Sequence, residues 1–184
     1  MERSRSFLRR TKKYFRNTLR KPPRRRGEQI RMKRIFHDGE TIKIPNPIGS
    51  YLTFNYSPEY MYQWIKLLNT NNEFSTWNEE RFAEEMMGNL IDGSEFLLID
   101  QGKLISVSAA FSIGKYQPYA VLAYPIVHPE YRGQGIGTYL ISKTLQSCKN
   151  AGYPGVILYT DDYRIPAIHV YNKLGFEVDT TEPN

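Results

Sequence analysis

The chain predicts an α/β protein whose mixed sheet carries helices on both faces. Three observations support this. In residues 104–113, Ile105, Val107, Ala109, Phe111 and Ile113 alternate with Leu104, Ser106, Ser108, Ala110 and Ser112, the period of a strand with one apolar face and one mostly small and polar face. Residues 119–127 are almost wholly apolar, as suits a central strand covered on both sides. Segments with apolar residues at helical spacing lie before and after this pair.

Taken in order, strand signals occur at residues 41–44 and 51–56. Ser57-Pro58 marks a helix start, since proline's missing N–H is no loss in the first turn. Met61, Trp64, Ile65 and Leu68 follow at i, i+3, i+4 and i+7, giving that helix one apolar face. After a polar break at 69–72, Thr76 and Glu79 have capping-box spacing, and Phe82, Met86 and Leu90 form the stripe of a second helix. Trp64, Trp77 and Met87 suit a core better than a substrate contact. Residues 96–99 read as a short strand, with a hairpin turn at Gln101-Gly102-Lys103 before the alternating strand. A long helix over 135–151 would bury Ile141, Leu145 and Cys148, and a buried strand follows at 156–160. Ala167, Val170, Tyr171 and Leu174 mark a last helix, opened by Pro166 and closed by Gly175, before a final strand at 176–179.

The length of 184 residues suits one well-buried domain and is short for two, and 40% apolar content suits a core. Charge is split unevenly. Residues 1–34 carry 15 Lys+Arg against 2 acidic residues, a net of +13, whereas residues 35–184 carry 10 against 17, a net of −7. The pattern predicts a flexible basic arm over 1–34 and a domain over 35–184. Pro22-Pro23 and like-charge repulsion oppose a compact arm. Leu8, Phe15 and Leu19 could line one side of a basic helix. Contact with nucleic acid or the ribosome, an anionic membrane, organelle targeting and a solvated tail without a partner all stay open. No apolar run has the length of a transmembrane segment, and none follows the N-terminal charges as a secretory signal requires. The single cysteine, Cys148, excludes an internal disulfide and a cysteine-based metal cluster, and fits a cytoplasmic location.

The segment Ile126-Val127-His128-Pro129-Glu130-Tyr131-Arg132-Gly133-Gln134-Gly135-Ile136-Gly137-Thr138 carries the chemistry. It reads as a buried strand, a glycine-rich loop and the start of a helix. Glycine lets backbone approach a ligand closely, and the bare amides of a first helical turn suit a pyrophosphate. Arg132 adds a full charge. The glycines at 133, 135 and 137 do not have dinucleotide-fold spacing, and no lysine follows Gly137 as a P-loop needs.

Arg132-x-x-Gly135-x-Gly137 resembles the acetyl-CoA signature of the GNAT superfamily, arginine or glutamine followed by x-x-G-x-G/A. Ala167-Ile168-His169-Val170-Tyr171-Asn172-Lys173-Leu174-Gly175-Phe176 resembles that family's second motif, a helix ending in tyrosine and a Gly-Phe turn. The match is tight over 119–179, the element order agrees over 51–113, and the arm lies outside it. The resemblance implies a mixed, mostly antiparallel twisted sheet of six to seven strands. Its helices lie on both faces, with a splayed wedge between the fourth and fifth strands (119–127 and 156–160). It implies acetyl-CoA as cosubstrate, no metal, and direct transfer to an amine acceptor, either a small molecule or a peptide. Cofactor contacts would come from Ile126, Val127, Arg132, Gly133, Gln134, Gly135, Ile136, Gly137 and Thr138. Arg164, standing where many relatives have asparagine, would be a further contact. Tyr171 occupies the position of the family's tyrosine that protonates the departing thiolate. A tyrosine titrating near ~10 holds its proton at neutral pH. Its alternative is a core tyrosine. Pro125, unable to donate to a ladder, is expected at the bulge that frees main-chain groups for pantetheine.

The general base is not legible, because 119–127 contains no carboxylate. Asp161 and Asp162 at the wedge mouth are candidates that serve equally as surface or helix-start carboxylates. His128 and His169 lack metal-ligand spacing. Family domains commonly finish with a two-stranded hairpin, and Asn184 follows soon after its first strand. The sheet would then lack a strand, borrow one from a partner, as in a homodimer, or fill the gap with another segment. Two functions stand side by side: an active N-acetyltransferase, and a coenzyme A-binding module whose arm docks on nucleic acid or an anionic surface.

Overall fold

A run as apolar as residues 120–127 is stable only with sheet neighbours and helices covering it. A computed structural model, which describes residues 27–49, 51–70 and 76–181, supplies both. Its elements are β1 (Gln29–Ile35), β2 (Leu52–Phe54), α1 (Met61–Thr70), α2 (Glu79–Phe82), β3 (Phe96–Asp100), β4 (Lys103–Phe111), β5 (Ala120–Val127), α3 (Ile136–Asn150), β6 (Gly155–Asp161), α4 (Ile165–Lys173) and β7 (Glu177–Val178). They form one seven-stranded sheet in the order β2-β3-β4-β5-β6-β1-β7. Every neighbouring pair is antiparallel except β5 and β6.

Each face has its own core. Trp64 and Leu68 of α1, with Phe82 and Met86, pack on Val107, Phe111 and Val121. Across the sheet, Ile141, Leu145 and Cys148 of α3 join Leu174, Phe176, Leu122, Leu158 and Met32. Burial pushes the Cys148 thiol up to about 12, the behaviour of an inert core residue. Ser106 and Ser108 are also buried. Their small side chains let α3 approach, and they hydrogen-bond to the Ile126 carbonyl at 2.9 Å and to Thr144 at 2.8 Å. Gln101 and Gly102, with φ of 46° and 78°, make the expected hairpin turn.

Three local expectations are corrected. Residues 41–44 form no strand; only Ile42 is buried, against the α3/α4 face. The second helix is capped by Asn78, not Thr76, because the Asn78 side chain accepts from the Arg81 amide at 2.9 Å. That helix is four residues long and continues as a π turn over Ala83–Met87.

The largest difference concerns residues 29–34, which the charge pattern assigns to the arm. They belong to β1, which runs antiparallel to β6 from Gln29 opposite Asp161 to Ile35 opposite Gly155. β7 then pairs with β1, Met32 opposite Val178 and Lys33 opposite Glu177. Of the three outcomes open for the C-terminal end of the sheet, the structure shows the last: another segment, β1 from the N-terminal side of the same chain, lies between β6 and β7. The charges are tolerated because groups outside the strand answer them. Arg31 and Lys33 face Asp179 at 3.3 and 3.9 Å, and Arg34 is held by Glu40 and the Leu174 carbonyl. Met32 meanwhile is fully buried. Gly155 sits where β1 passes so close that a β carbon would strike the Arg34 carbonyl. Residues 1–26 of the arm lie outside the described residues.

Candidate functional site

The site is an opening in the sheet. β5 and β6 pair in parallel only at Ala120–Val156 and Val121–Ile157, near their N-terminal ends. Beyond that point no ladder joins them, and their C-terminal ends part. A bulge in β5 assists the split. Along β4 the register passes from Val107 to Ala109, while along β5 it passes from Ile126 to Ala123, leaving Tyr124 and Pro125 unpaired. Pro125 therefore sits at the bulge, where its missing N–H costs no ladder bond. Tyr124 pays the conformational cost: its φ of 53° is left-handed, a state worth about 1–3 kcal/mol in a bulky residue.

After the bulge the main-chain groups alternate. The Ile126 carbonyl accepts from Ser106, and the His128 amide donates to the Ile105 carbonyl at 2.8 Å, both towards β4. Val127 between them turns its main chain to the opposite edge, the wedge. Of the two residues expected to meet pantetheine by main-chain groups, Val127 is so oriented, and the Ile126 carbonyl is already engaged. The Val127 carbonyl also accepts from Arg132 Nε at 3.3 Å, which folds the guanidinium back over the loop.

The loop at the wide end has the shape an anion requires. Gly133 and Gly135 both have φ of 79°, a conformation costly for any residue with a β carbon. Gly135 is the N-cap of α3 and makes no side-chain cap. Among the described residues, the amides of residues 133–138 donate to no acceptor, as the open first turn of a helix should. Ile136 anchors the turn, its side chain buried against Leu98, Ile105 and Leu140, so only its main chain faces outward. Outside the loop, the Ile48 amide donates to the Gln134 carbonyl at 2.9 Å, and the Tyr51 hydroxyl donates to its side-chain carbonyl at 2.6 Å. These two ties brace the loop and have no signature in the sequence.

Tyr171 lies on α4 with its ring edge-on to Phe176 at 5.9 Å, in the cluster that contains Leu122 of β5 and Leu158 of β6. Burial pushes its hydroxyl up to about 12, and the Arg164 charge offsets this slightly. A group so placed keeps its proton at any physiological pH. Gly175, with φ of 81°, closes α4 through amide bonds from Phe176 to the Tyr171 carbonyl and from Gly175 to the Asn172 carbonyl, both 3.0 Å.

At the mouth, Asp161 is buried and engaged. The Tyr163 hydroxyl donates to it at 3.1 Å, and Arg164 Nε lies 3.2 Å away. These bonds give Asp161 the task of fixing Arg164 at the head of α4. Asp162 is exposed, and its amide donates to the Glu28 carbonyl of the segment entering β1. His128 lies 3.6 Å from Glu130 and edge-on to Tyr131, and His169 is exposed on α4; the two are not brought together.

On the α1/α2 face lies a polar cluster that the sequence did not reveal. Glu85, 1% exposed, accepts from Arg81 Nε at 2.6 Å and from the Tyr124 hydroxyl at 3.3 Å. Arg81 stacks over Trp77 at 3.9 Å, and Trp77 meets the Tyr124 ring edge-on at 5.0 Å. The strained bulge residue is thereby tied to a buried carboxylate on the helical face opposite Tyr171. The only signal available was the i, i+4 spacing of Arg81 and Glu85, which exposed helices share.

Comparison with known proteins agrees with this geometry. The model of the Acetyltransferase (GNAT) family matches residues 59–176. A mycothiol acetyltransferase of Corynebacterium glutamicum is 27% identical over 153 residues, covering 79% of this chain and 52% of its own length. The chain therefore spans about half of that relative. Among solved structures, a GCN5-related N-acetyltransferase from Sphaerobacter thermophilus superposes with a TM-score of 0.66 at 15% identity, over 82% of this chain and 48% of its own. Arabidopsis thaliana Naa50, in complex with the bisubstrate analogue CoA-Ac-MVNAL, superposes with a TM-score of 0.58 at 22% identity, over 71% and 85%.

Proposed function

Because the chain belongs to the GNAT acetyltransferase family, we propose that it moves an acetyl group from acetyl-CoA to a small or peptide amine, directly and without a covalent enzyme intermediate. Bound acetyl-CoA supplies an activated thioester; the residues supply its grip, its orientation and a proton. The observation that carries this reading is the conjunction of amides at 133–138 that donate to no described acceptor with Tyr171 buried beside Leu122 and Leu158 at the same split in the sheet. Those amides, with the partial positive charge of α3 and the cation of Arg132, receive the pyrophosphate. Val127 offers its main chain to the pantetheine, which takes the place of the missing strand partner, and an amide there would steady charge building on the thioester oxygen. Tyr171 gives its proton to the departing sulfur. Arg164, fixed by Asp161, is a second cofactor contact.

The amine approaches from the α1/α2 side. Naa50 is named with a peptide-bearing analogue, and the C. glutamicum relative is named for mycothiol; the amine here is assigned only as a class. The test is free-thiol release from acetyl-CoA with a panel of amines, comparing wild type with Tyr171→Phe. Turnover in the wild type that drops in the variant supports the reading. Coenzyme A binding without turnover on any amine would replace it with a coenzyme A-holding module.

A further inference from the structure

Among the described residues, Gln101 and Tyr124 are the two that hold a left-handed backbone without being glycine. Gln101 belongs to an exposed hairpin turn, which asks for that conformation. Tyr124 is buried in the bulge of β5, and a strained residue there persists only when its surroundings over-determine it. Those surroundings come from the helical face. The Tyr124 ring packs edge-on to Trp77, and its hydroxyl donates to Glu85 at 3.3 Å. Both partners are themselves fastened. Asn69, in the last turn of α1, accepts from the Trp77 amide at 2.8 Å and donates to the Trp77 carbonyl at 3.0 Å. Arg81 donates to the Thr76 carbonyl at 2.8 Å and to Glu85 at 2.6 Å. Glu85 lies in the π turn after α2, an irregularity that recurs at functional sites.

The bulge decides which main chain meets the cofactor. Between paired positions β5 takes three steps, Ala123 to Ile126, where β4 takes two, Val107 to Ala109. Without the extra residue the alternation after it would reverse, and Val127 would turn its main chain to β4 instead of the wedge. The left-handed turn at Tyr124 is what accommodates that residue.

We propose that Tyr124, bonded to Glu85, is a positioning residue that holds the β5 bulge in the phase presenting Val127 to acetyl-CoA. The helical face on which the amine arrives thereby sets the grip on the cofactor. This rests on the reading above, on its acetyl-CoA site for binding and on its transfer step for turnover. The strain at Tyr124 and a hydrogen bond to a charged acceptor are of the same order. Losing the bond therefore lets molecules with a relaxed bulge accumulate, and apparent cofactor affinity falls with the fraction that stays competent.

The experiment measures coenzyme A affinity by calorimetry on the full chain, with denaturant stability and small-amine turnover alongside. Tyr124→Phe keeps the ring on Trp77 and removes the hydroxyl. Coenzyme A should bind it about tenfold more weakly, and kcat/KM for acetyl-CoA should fall at least as far. Glu85→Gln keeps an acceptor and removes the charge. It should weaken binding roughly threefold by itself and not at all in the Tyr124→Phe background, because both act through one bond. Met32→Ala destabilises the fold from β1 and should leave the affinity unchanged, which separates positioning from lost stability. An unchanged affinity in folded Tyr124→Phe overturns the inference. So do losses that add in the double variant, or an equal loss in Met32→Ala. If Tyr124→Phe does not fold, Glu85→Gln decides by the same measurement. Coenzyme A binding in the wild type without turnover on any amine would bring down the transfer reading and leave the affinities to judge Tyr124. No coenzyme A binding in the wild type would bring down both.

Discussion

On the loop side of the wedge, residues 120–138 take their shape from their own backbone. Pro125 can sit only where no ladder bond is needed, and Gly133 and Gly135 adopt φ of 79° that few other residues accept. On the far side of β6, β1 takes its place from partners elsewhere in the chain. Its Arg31, Lys33 and Arg34 are answered by Asp179, Glu40 and the Leu174 carbonyl. Backbone-imposed structure is written locally and survives in a short motif. Charge-imposed structure is distributed, and Asp179 and Leu174 lie over a hundred residues from the cations they answer, with Glu40 the one nearby partner.

The largest expected effect tests that contrast through the chain's two N-terminal segments. Removing residues 1–26 should leave a folded protein with small-amine turnover, because β1 and its pairings with β6 and β7 are all retained. Removing residues 1–35 should abolish cooperative unfolding, since it takes the seven-residue partner of β6, the only partner of β7 among the described residues, and the buried Met32. Met32→Ala is the graded version and should cost about 2–5 kcal/mol by chemical denaturation. If the longer deletion still melted cooperatively with wild-type stability, β1 would be dispensable and the contrast would fail.

Next comes the glycine-rich loop. Gly135→Glu places a side chain on a left-handed backbone and a negative charge at the N-cap of α3. Coenzyme A affinity should fall at least about 100-fold, some 2.7 kcal/mol, by calorimetry on a variant with native circular dichroism. An unchanged affinity would remove the pyrophosphate from this loop.

These two predictions also measure what the sequence made legible. The order of elements from β3 to β7 and the glycine-rich loop could be read from the residues, while the bulge came from the family resemblance, with proline's missing donor placing Pro125 on it. The alternation of Ile30 and Met32 with Arg31 and Lys33 was present as well. Charge density masked it, and nothing local shows that Asp179 would neutralise those cations. The Arg81–Glu85–Tyr124 cluster was hidden for the same reason, since its third member joins only when the sheet meets α2.

A smaller effect should come from Tyr171→Phe, which keeps the ring against Phe176 and removes one oxygen. Turnover should fall about 10²-fold with coenzyme A affinity unchanged, the signature of a lost general acid. Burial raises the Tyr171 pKa to about 12, so the folded state holds this proton where the unfolded chain, near ~10, has begun to lose it. Its contribution to stability is complete below pH ~10 and declines as pH rises towards about 12. The Phe variant should lack that part of the alkaline loss in a denaturation series.

The smallest effect concerns the far edge of the sheet. Burial alone would raise the Asp179 carboxyl, but hydrogen bonds from Thr181 and the charges of Arg31 and Lys33 outweigh it and hold its pKa below the ordinary value. A depressed carboxyl stabilises the fold above its unfolded pKa, near ~3.9, and loses that contribution as pH falls through the folded value. Asp179→Asn should therefore cost about 1.5–3 kcal/mol at pH 7, the range for hydrogen bonds to a charged group. Its melting curve should converge on that of the wild type in acid, where both side chains are neutral. A gap that stayed constant with pH would mean that shape, not charge, holds β7 to β1, and the basic strand would then owe its place to its ladder with β6, to Met32 and to the contacts of Arg34.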